Sequence, residues 1–105
     1  MHLQLRTLAA SAATIALMSP LAQANEALAA KNNCTVCHSK DQKIVGPAFK
    51  DIAAKYAGDP KAADKLVTKV KNGGAGVWGS VPMPPNAQVS DADIKALVSW
   101  ILKLK

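Results

Sequence analysis

The segment Cys34-Thr35-Val36-Cys37-His38 constrains the fold of this chain more than any other feature. Two thiols three positions apart, followed at once by an imidazole, form the pattern by which a c-type haem is attached. The two intervening residues let one turn of backbone place both sulfurs along the porphyrin edge that carries the vinyl groups. His38 then projects under the ring, where an imidazole nitrogen can bind iron. The motif therefore predicts one covalent haem c, attached through Cys34 and Cys37, with His38 as an axial ligand.

The two cysteines also allow a thioredoxin-like redox pair, part of a zinc site or a structural disulfide. A thioredoxin-like motif belongs in a βαβ context, and the sequence shows no such alternation. A zinc site needs four ligands, and Cys34, Cys37 and His38 leave it one short. A disulfide stays open as an alternative, although attachment of haem requires both thiols in the reduced form.

Residues 1–24 have the features of a secretory signal peptide. Arg6 supplies a positive charge, residues 8–18 are apolar and uncharged, and Ala22-Gln23-Ala24 is a typical cleavage site. The apolar run is shorter than the roughly 20 residues of a membrane span, which favours cleavage over a retained anchor. We therefore expect a periplasmic protein of residues 25–105, without stable insertion in the membrane.

Cleavage at that point leaves 81 residues in one small domain. His38 and Met83 are then the single histidine and the single methionine of the chain. A domain of this size buries little apolar surface, so it usually needs a further stabilising element. A covalently held porphyrin would supply the large apolar group that a sequence with few aromatic residues lacks.

Helical periodicity accounts for most of the remaining chain, and no segment resembles a convincing strand. Asn25 is expected to cap a short first helix that runs into the cysteine segment. The spacing of Phe49, Ile52, Ala53 and Tyr56 predicts a second helix that Gly58 stops. A third is predicted with Asp59 as N-cap and Pro60 at its first position. Ser90 should cap the last helix. The pattern predicts an all-α domain of about four short helices and loops.

Residues 73–89 lack helical periodicity and are rich in glycine and proline. Loops of this length in small domains are usually functional or disordered, and the apolar residues of this one argue against disorder. Pro82 and Pro84 flank Met83 and limit the conformations that the chain would lose on ligation. We therefore expect Met83 to bind the iron opposite His38, with a gap-filling core role as the alternative.

From Asn25 to Lys105 the chain resembles the small bacterial class I cytochromes c of the cytochrome c-551/c-552 group. The tryptophan-to-methionine loop is the most specific part of the resemblance. The resemblance implies a small class I cytochrome c fold, in which helices and loops surround one covalently bound haem. The segments that carry it are Cys34-Thr35-Val36-Cys37-His38, Val45-Gly46-Pro47-Ala48, Lys71-Asn72-Gly73, Gly76-Val77-Trp78-Gly79, Val81-Pro82-Met83-Pro84-Pro85-Asn86 and Trp100.

The resemblance also implies roles for three residues around the haem. The backbone carbonyl of Pro47 would accept a hydrogen bond from the second nitrogen of His38. Trp78 would donate its indole N–H to a haem propionate, and Asn86 would hydrogen-bond near the methionine side. The alternatives are a turn residue, a core aromatic and a loop cap. Lys69 stands where members of the family can carry an arginine, so its contact with a propionate stays open.

Ligation by both His38 and Met83 would leave the iron no open position for a substrate. The iron could then change by one electron without changing ligands, and a thioether favours its reduced state. We therefore predict a one-electron carrier, not an enzyme, that shuttles electrons between periplasmic or membrane redox partners. The alternative is a haem-based ligand sensor or a peroxidase-like haem protein with a labile sixth ligand.

Residues 25–105 carry a net positive charge, which is relevant to the choice of partners. They contain twelve lysines, seven acidic residues and no arginine. Lys31, Lys40 and Lys43 surround the cysteine segment and could steer the protein to acidic docking patches on redox partners. Scattered solubilising charge is the alternative interpretation. We expect a monomer that binds no nucleic acid.

Overall fold

Four helices and one short hairpin follow one another along residues 25–105, the part of the chain that the computed structural model describes. The predicted signal peptide, residues 1–24, lies outside the described residues. Within them, no helix has both the length and the apolar character needed to cross a bilayer. The elements are α1 (Glu26–Lys31), a 3-10 turn (Cys34–Val36), α2 (Phe49–Tyr56), α3 (Ala62–Asn72), β1 (Gly74–Gly76), β2 (Gly79–Met83) and α4 (Asp91–Leu102).

Side-chain caps start the first and the last helix, as the sequence predicts. The side-chain oxygen of Asn25 accepts hydrogen bonds from the backbone N–H groups of Ala27 and Leu28, at 2.9 and 3.2 Å. Ser90 Oγ accepts one from the backbone N–H of Asp93 at 3.2 Å. These bonds satisfy donors that have no partner inside a helix, which fixes where α1 and α4 begin.

The third helix begins later than predicted, at Ala62, and Pro60 lies outside it. Asp59 Oδ1 accepts from the backbone N–H of Lys61 at 2.8 Å, and the Asp59 carbonyl accepts from Ala62 N at 3.2 Å. A bond from an aspartate to the backbone two residues on closes a turn of its own. Asp59 therefore stabilises a turn before α3 and does not act as its N-cap.

The core lies where α4 packs against α2, α3 and α1. Ile94 and Val98 of α4 are the largest fully buried side chains of the described residues. Phe49, the first residue of α2, presents its ring to the edge of Trp100, with centroids 5.6 Å apart and planes at 71°. Such edge-to-face pairs add to the stabilisation that burial provides.

The prediction of a strand-free chain is wrong for the loop after α3. Strands β1 and β2 form an antiparallel hairpin in which Gly74 pairs with Met83 and Gly76 with Gly79, with an irregular register between the pairs. Both strands are largely exposed, so they lack the alternation of buried and exposed residues that marks a strand in a sequence. The helical body agrees with the predicted class, and the hairpin adds a small sheet to it.

Candidate functional site

One cleft between the helical body and the hairpin brings the chemically distinctive residues together. Cys34, Cys37, His38 and Met83 all line it, and most of its other lining residues are apolar. The cleft contains about 1210 Å³ of space free of protein atoms, counting its open side. The four residues thus share one cavity although 45 positions separate His38 from Met83 in the chain.

The cysteine segment is a tight turn that starts from an unusual backbone conformation. Asn33 has a φ of 63°, in the left-handed region that asparagine tolerates better than most residues. The backbone N–H groups of Cys37 and His38 then donate to the carbonyl of Cys34, at 3.2 and 3.0 Å. This single turn places both thiols and the imidazole at the same cleft.

Cys34 and Cys37 form no disulfide with each other in the structure. Cys34 is half-buried, and burial raises the pKa of its thiol, while a backbone hydrogen bond partly opposes this effect. Dithiol redox proteins need the opposite, a thiol with a lowered pKa. The described residues also contain no group of three or more His, Cys, Asp and Glu side chains able to hold a metal ion.

The imidazole of His38 is oriented by the loop that precedes α2. His38 Nδ1 lies 2.7 Å from the carbonyl oxygen of Pro47. Because a carbonyl can only accept, Nδ1 must carry the proton in this bond, which leaves the lone pair of Nε2 free. The ring of Phe49 stacks on the imidazole, with centroids 5.2 Å apart and planes at 20°.

Gly46 contacts the site, a role that the sequence analysis did not assign to it, although it lies in one of the segments that carry the resemblance. A Cβ placed on Gly46 would lie 2.5 Å from His38 Cε1 and 2.9 Å from Nδ1, closer than real Cβ contacts. The backbone N–H of Gly46 also donates to the carbonyl of Cys37 at 2.7 Å, which holds the loop against the cysteine turn. The absence of a side chain lets the backbone reach the imidazole. A glycine three residues before a helix gives no such signal in a single sequence.

Met83 is the last residue of β2, is partly buried and lines the same cleft as His38. Gly73, at the end of α3, allows the chain after β2 to pass close by. A Cβ on Gly73 would lie 2.8 Å from Pro85 N and 2.9 Å from Pro84 C. Gly73 also has a φ of 69°, which favours glycine.

Asn86 holds the segment that follows Met83 against α3. Its side-chain Nδ2 donates to the carbonyls of Val70 and Pro84, at 3.1 and 3.2 Å, and its backbone N–H also donates to Val70 O at 3.1 Å. The amide thus lies on the methionine side of the cleft, and both of its protein acceptors are backbone carbonyls. Asn86 therefore supports Met83 through the backbone.

The lining of the cleft suits a large apolar group that carries its own acidic substituents. Val77, Trp78 and Val81 line it, yet they are 48, 43 and 64 % exposed to solvent. Large apolar side chains gathered around a cavity indicate a binding site. The indole N–H of Trp78 has no hydrogen-bond acceptor among the described residues, so a bound carboxylate could accept it. Two thiols, an imidazole and a thioether complete a donor set that fits haem c.

Comparison with known proteins settles the family. A family model described as cytochrome c matches residues 22–105 of the chain. The chain belongs to the cytochrome c family. It is 62 % identical over 91 residues to cytochrome c-551 of Allochromatium vinosum, an alignment that covers 87 % of this chain and 97 % of that protein. It is 58 % identical over 94 residues to cytochrome c-552 of Nitrosomonas europaea, covering 90 % and 91 % of the two chains.

Solved structures extend the likeness to the fold. The crystal structure of wild-type Nitrosomonas europaea cytochrome c552 is 60 % identical, with a TM-score of 0.75, and covers 77 % of this chain and 100 % of that one. The class 1 cytochrome MtoD of Sideroxydans lithotrophicus is 36 % identical, with a TM-score of 0.64, and covers 75 % and 90 %. This cytochrome therefore has the class I fold and binds one covalently attached haem c, as a small electron carrier.

Proposed function

We propose that this cytochrome carries single electrons in the periplasm, on a haem attached through Cys34 and Cys37 and ligated axially by His38 and Met83. The observation that supports this proposal is the shared cleft, because the only imidazole and the only thioether of residues 25–105 line it together. With both positions filled, the iron has no coordination site for a substrate. Electron transfer then requires no change of ligand.

Haem c supplies the one-electron chemistry of its iron, and the chain controls the environment in which it occurs. The Pro47 carbonyl keeps the proton of His38 on Nδ1, so that Nε2 is available as a ligand and the ring orientation is fixed. The thioether of Met83 favours the reduced state relative to a second imidazole. The apolar lining excludes water and also favours the less charged, reduced state.

The remaining polar residues of the cleft position the cofactor at its edges. Trp78 would donate its unpaired indole N–H to a propionate. Asn86 would keep Met83 in reach by tying the backbone after it to the carbonyl of Val70. Lys69 also lines the cleft, and a Cβ on Gly74 would lie 3.1 Å from its Nζ.

Redox partners with acidic docking patches fit the charge around the cysteine segment. Lys40 pairs with Glu26 at 3.8 Å, so its charge is partly compensated. Lys31 and Lys43 have no carboxylate within ion-pair distance among residues 25–105, which leaves their charge available to a partner. If these lysines steer association, the rate of electron transfer to the partner should fall as ionic strength rises. A flat salt profile would contradict steering and leave solubility as the role of these charges.

The decisive test is a haem stain of the denatured protein followed by its visible spectrum. We expect a stain that survives denaturation, because the haem is covalently attached, and a far-red sulfur–iron charge-transfer band from Met83. Absence of the band in the wild-type protein would contradict ligation by Met83. Rapid binding of carbon monoxide or cyanide at neutral pH would instead support a sensor or a peroxidase-like protein.

A further inference from the structure

Lys55 lies over the aromatic ring of Trp78. Its Nζ is 5.4 Å from the centroid of the indole ring, within the roughly 6 Å at which a cation attracts an aromatic face. Lys55 belongs to the last turn of α2, whereas Trp78 lies in the turn between β1 and β2. The contact therefore joins the helical body to the tip of the hairpin.

The tip of the hairpin has few other anchors. Among residues 25–105, no hydrogen bond joins residues 75–82 to a helix. Gly76 and Gly79, on either side of the turn, have φ values of 112° and 108°. These glycine conformations allow a tight turn but contribute no side chain to hold the indole. The orientation of Trp78 thus depends on the contacts that its own ring makes, and Lys55 is one of them.

Lys55 is also a charge without a partner. Four other lysines pair with carboxylates, whereas neither Lys55 nor Lys69 has one within 4.0 Å in the described part of the chain. Lys69 lines the same cleft, close to Gly74. One ammonium group without a carboxylate partner, that of Lys69, therefore lines the mainly apolar cleft, and a second, that of Lys55, lies over Trp78, which lines it too. The propionates of a bound haem are anions that would compensate them.

We propose that Lys55 is a positioning residue for Trp78, whose ring it holds so that the indole N–H meets a haem propionate. The inference rests on the proposed function, because it requires the bound haem. Lys55 also places a positive charge near that propionate. A nearby cation favours the state of lower positive charge, so Lys55 raises the reduction potential of the haem.

The test compares three variants of the haem-loaded protein. Lys55→Gln removes the charge and the contact with the ring, whereas Lys55→Arg keeps both, since a guanidinium also stacks on aromatic faces. Lys95→Gln is the matched control. It makes the same change in net charge at an exposed residue of α4 that lines the groove between α3 and α4 on another part of the surface.

Two readouts separate positioning from charge alone. The first is hydrogen exchange of the indole N–H groups by NMR, in which Trp100 is the internal reference. Loss of an exposed cation–π contact should speed exchange at Trp78 by about two- to fivefold in Lys55→Gln, with Trp100 unchanged. The second is the reduction potential, which should fall further in Lys55→Gln than in Lys95→Gln. Lys55→Arg should match the wild type in both.

Unchanged exchange at Trp78 in Lys55→Gln, or a fall in potential equal to that in Lys95→Gln, would overturn the inference. A haem stain and a far-red spectrum of each preparation come first. A preparation without covalent haem would contradict the proposed function, and the inference with it. Full haem content with unaltered exchange at Trp78 would overturn this inference alone.

Discussion

His38 and Met83 face one cleft from two regions that are held together by different kinds of contact. The imidazole is fixed by the Pro47 carbonyl, by the stacked ring of Phe49 and by the backbone of Gly46. Phe49 belongs to the buried core that α4 shares with α2. Met83 instead ends an exposed hairpin whose two strands bond mainly to each other.

The contacts around His38 are made by the protein itself, whereas the hairpin that carries Met83 lacks such contacts and would gain them from bound haem. An isolated two-stranded hairpin is marginally stable in water, and this one exposes Val77, Trp78 and Val81 toward the cleft. Bound haem would cover these side chains and stabilise the hairpin. We infer that the histidine side is set by the helical body, and that the methionine side depends on the bound haem.

The largest expected effect is a contrast between the two proposed axial ligands. His38→Ala removes the ligand on the preformed side, so little or no haem-loaded protein should accumulate. Met83→Ala should keep the covalent haem, because Cys34, Cys37 and His38 remain. It should lose the far-red band and bind carbon monoxide rapidly. Haem staining of denatured protein and the visible spectrum measure both results.

Equal loss of covalent haem in both variants would contradict the proposed difference between the histidine side and the methionine side. Trp100→Phe is a suitable control for general damage, because it alters an aromatic packed on Phe49 and leaves the two attachment cysteines and the two proposed iron ligands in place. That variant should retain the haem and the far-red band.

The next effect concerns the packing of the histidine side. Gly46→Ala would bring a methyl group within 2.5 Å of His38 Cε1, and the hydrogen bond to Pro47 prevents the ring from moving away freely. We expect a loss of about 3 kcal/mol in the free energy of unfolding, near the upper end of the cost of overpacking. Denaturant titration of the haem-loaded protein measures it.

Gly58→Ala is the control for a glycine outside the site. Gly58 has a φ of 79°, and no atom lies within 4 Å of a Cβ placed there. The free energy of unfolding should therefore fall by about 1 kcal/mol, the cost of placing an alanine at a positive φ. An equal loss in the two variants would show that contact with the imidazole does not constrain Gly46.

Sequence patterns could predict the parts of the site whose chemistry is local. The cysteine segment, the single methionine between two prolines and the capped helices α1 and α4 all follow from short motifs. The contacts of Gly46 and Phe49 with the imidazole could not be predicted in this way, because they depend on how the loop before α2 folds back on the cysteine turn.

The hairpin escaped prediction for a different physical reason. Strand patterns arise from burial of one face, and both β1 and β2 are mostly exposed. Its glycines, which favour a loop in a sequence, supply the positive φ values of the turn. The prediction of Asp59 as the N-cap of α3 was also wrong. The side chain of an aspartate can cap a helix or close a turn, and which of the two it does depends on the backbone around it.

A smaller effect compares matched valines in the two regions. Val89 is 6 % exposed in the core, whereas Val81 of the hairpin is 64 % exposed. Val89→Ala should lower the free energy of unfolding by about 2 kcal/mol, from lost burial and the cavity left behind. Val81→Ala should cost less, about 1 kcal/mol, because the protein itself leaves this side chain exposed and only bound haem would cover it. Losses of equal size in denaturant titrations would mean that bound haem buries the hairpin as fully as the core.

The smallest expected effect is the change in stability with falling pH. It reports on the helical part of the protein alone, because residues 74–83 of the hairpin contain no acidic or basic side chain. Hydrogen bonds from Lys65 and Lys71 lower the pKa values of the carboxyls of Asp59 and Asp91, respectively. A carboxyl whose pKa is lower in the folded state stabilises the fold above its unfolded pKa, near 4. This stabilisation is lost as the pH falls through the folded pKa.

Asp59→Asn should therefore make the stability of the protein less sensitive to pH below about 4, while the far-red band persists for as long as the helical circular dichroism does. Asp64→Asn is the matched control, since Asp64 has no lysine within ion-pair distance among the described residues. The change should be small, because exposed ion pairs contribute little. Loss of the band well before the helices unfold would place the acid-sensitive step on the methionine side, where the chain itself offers no group that titrates.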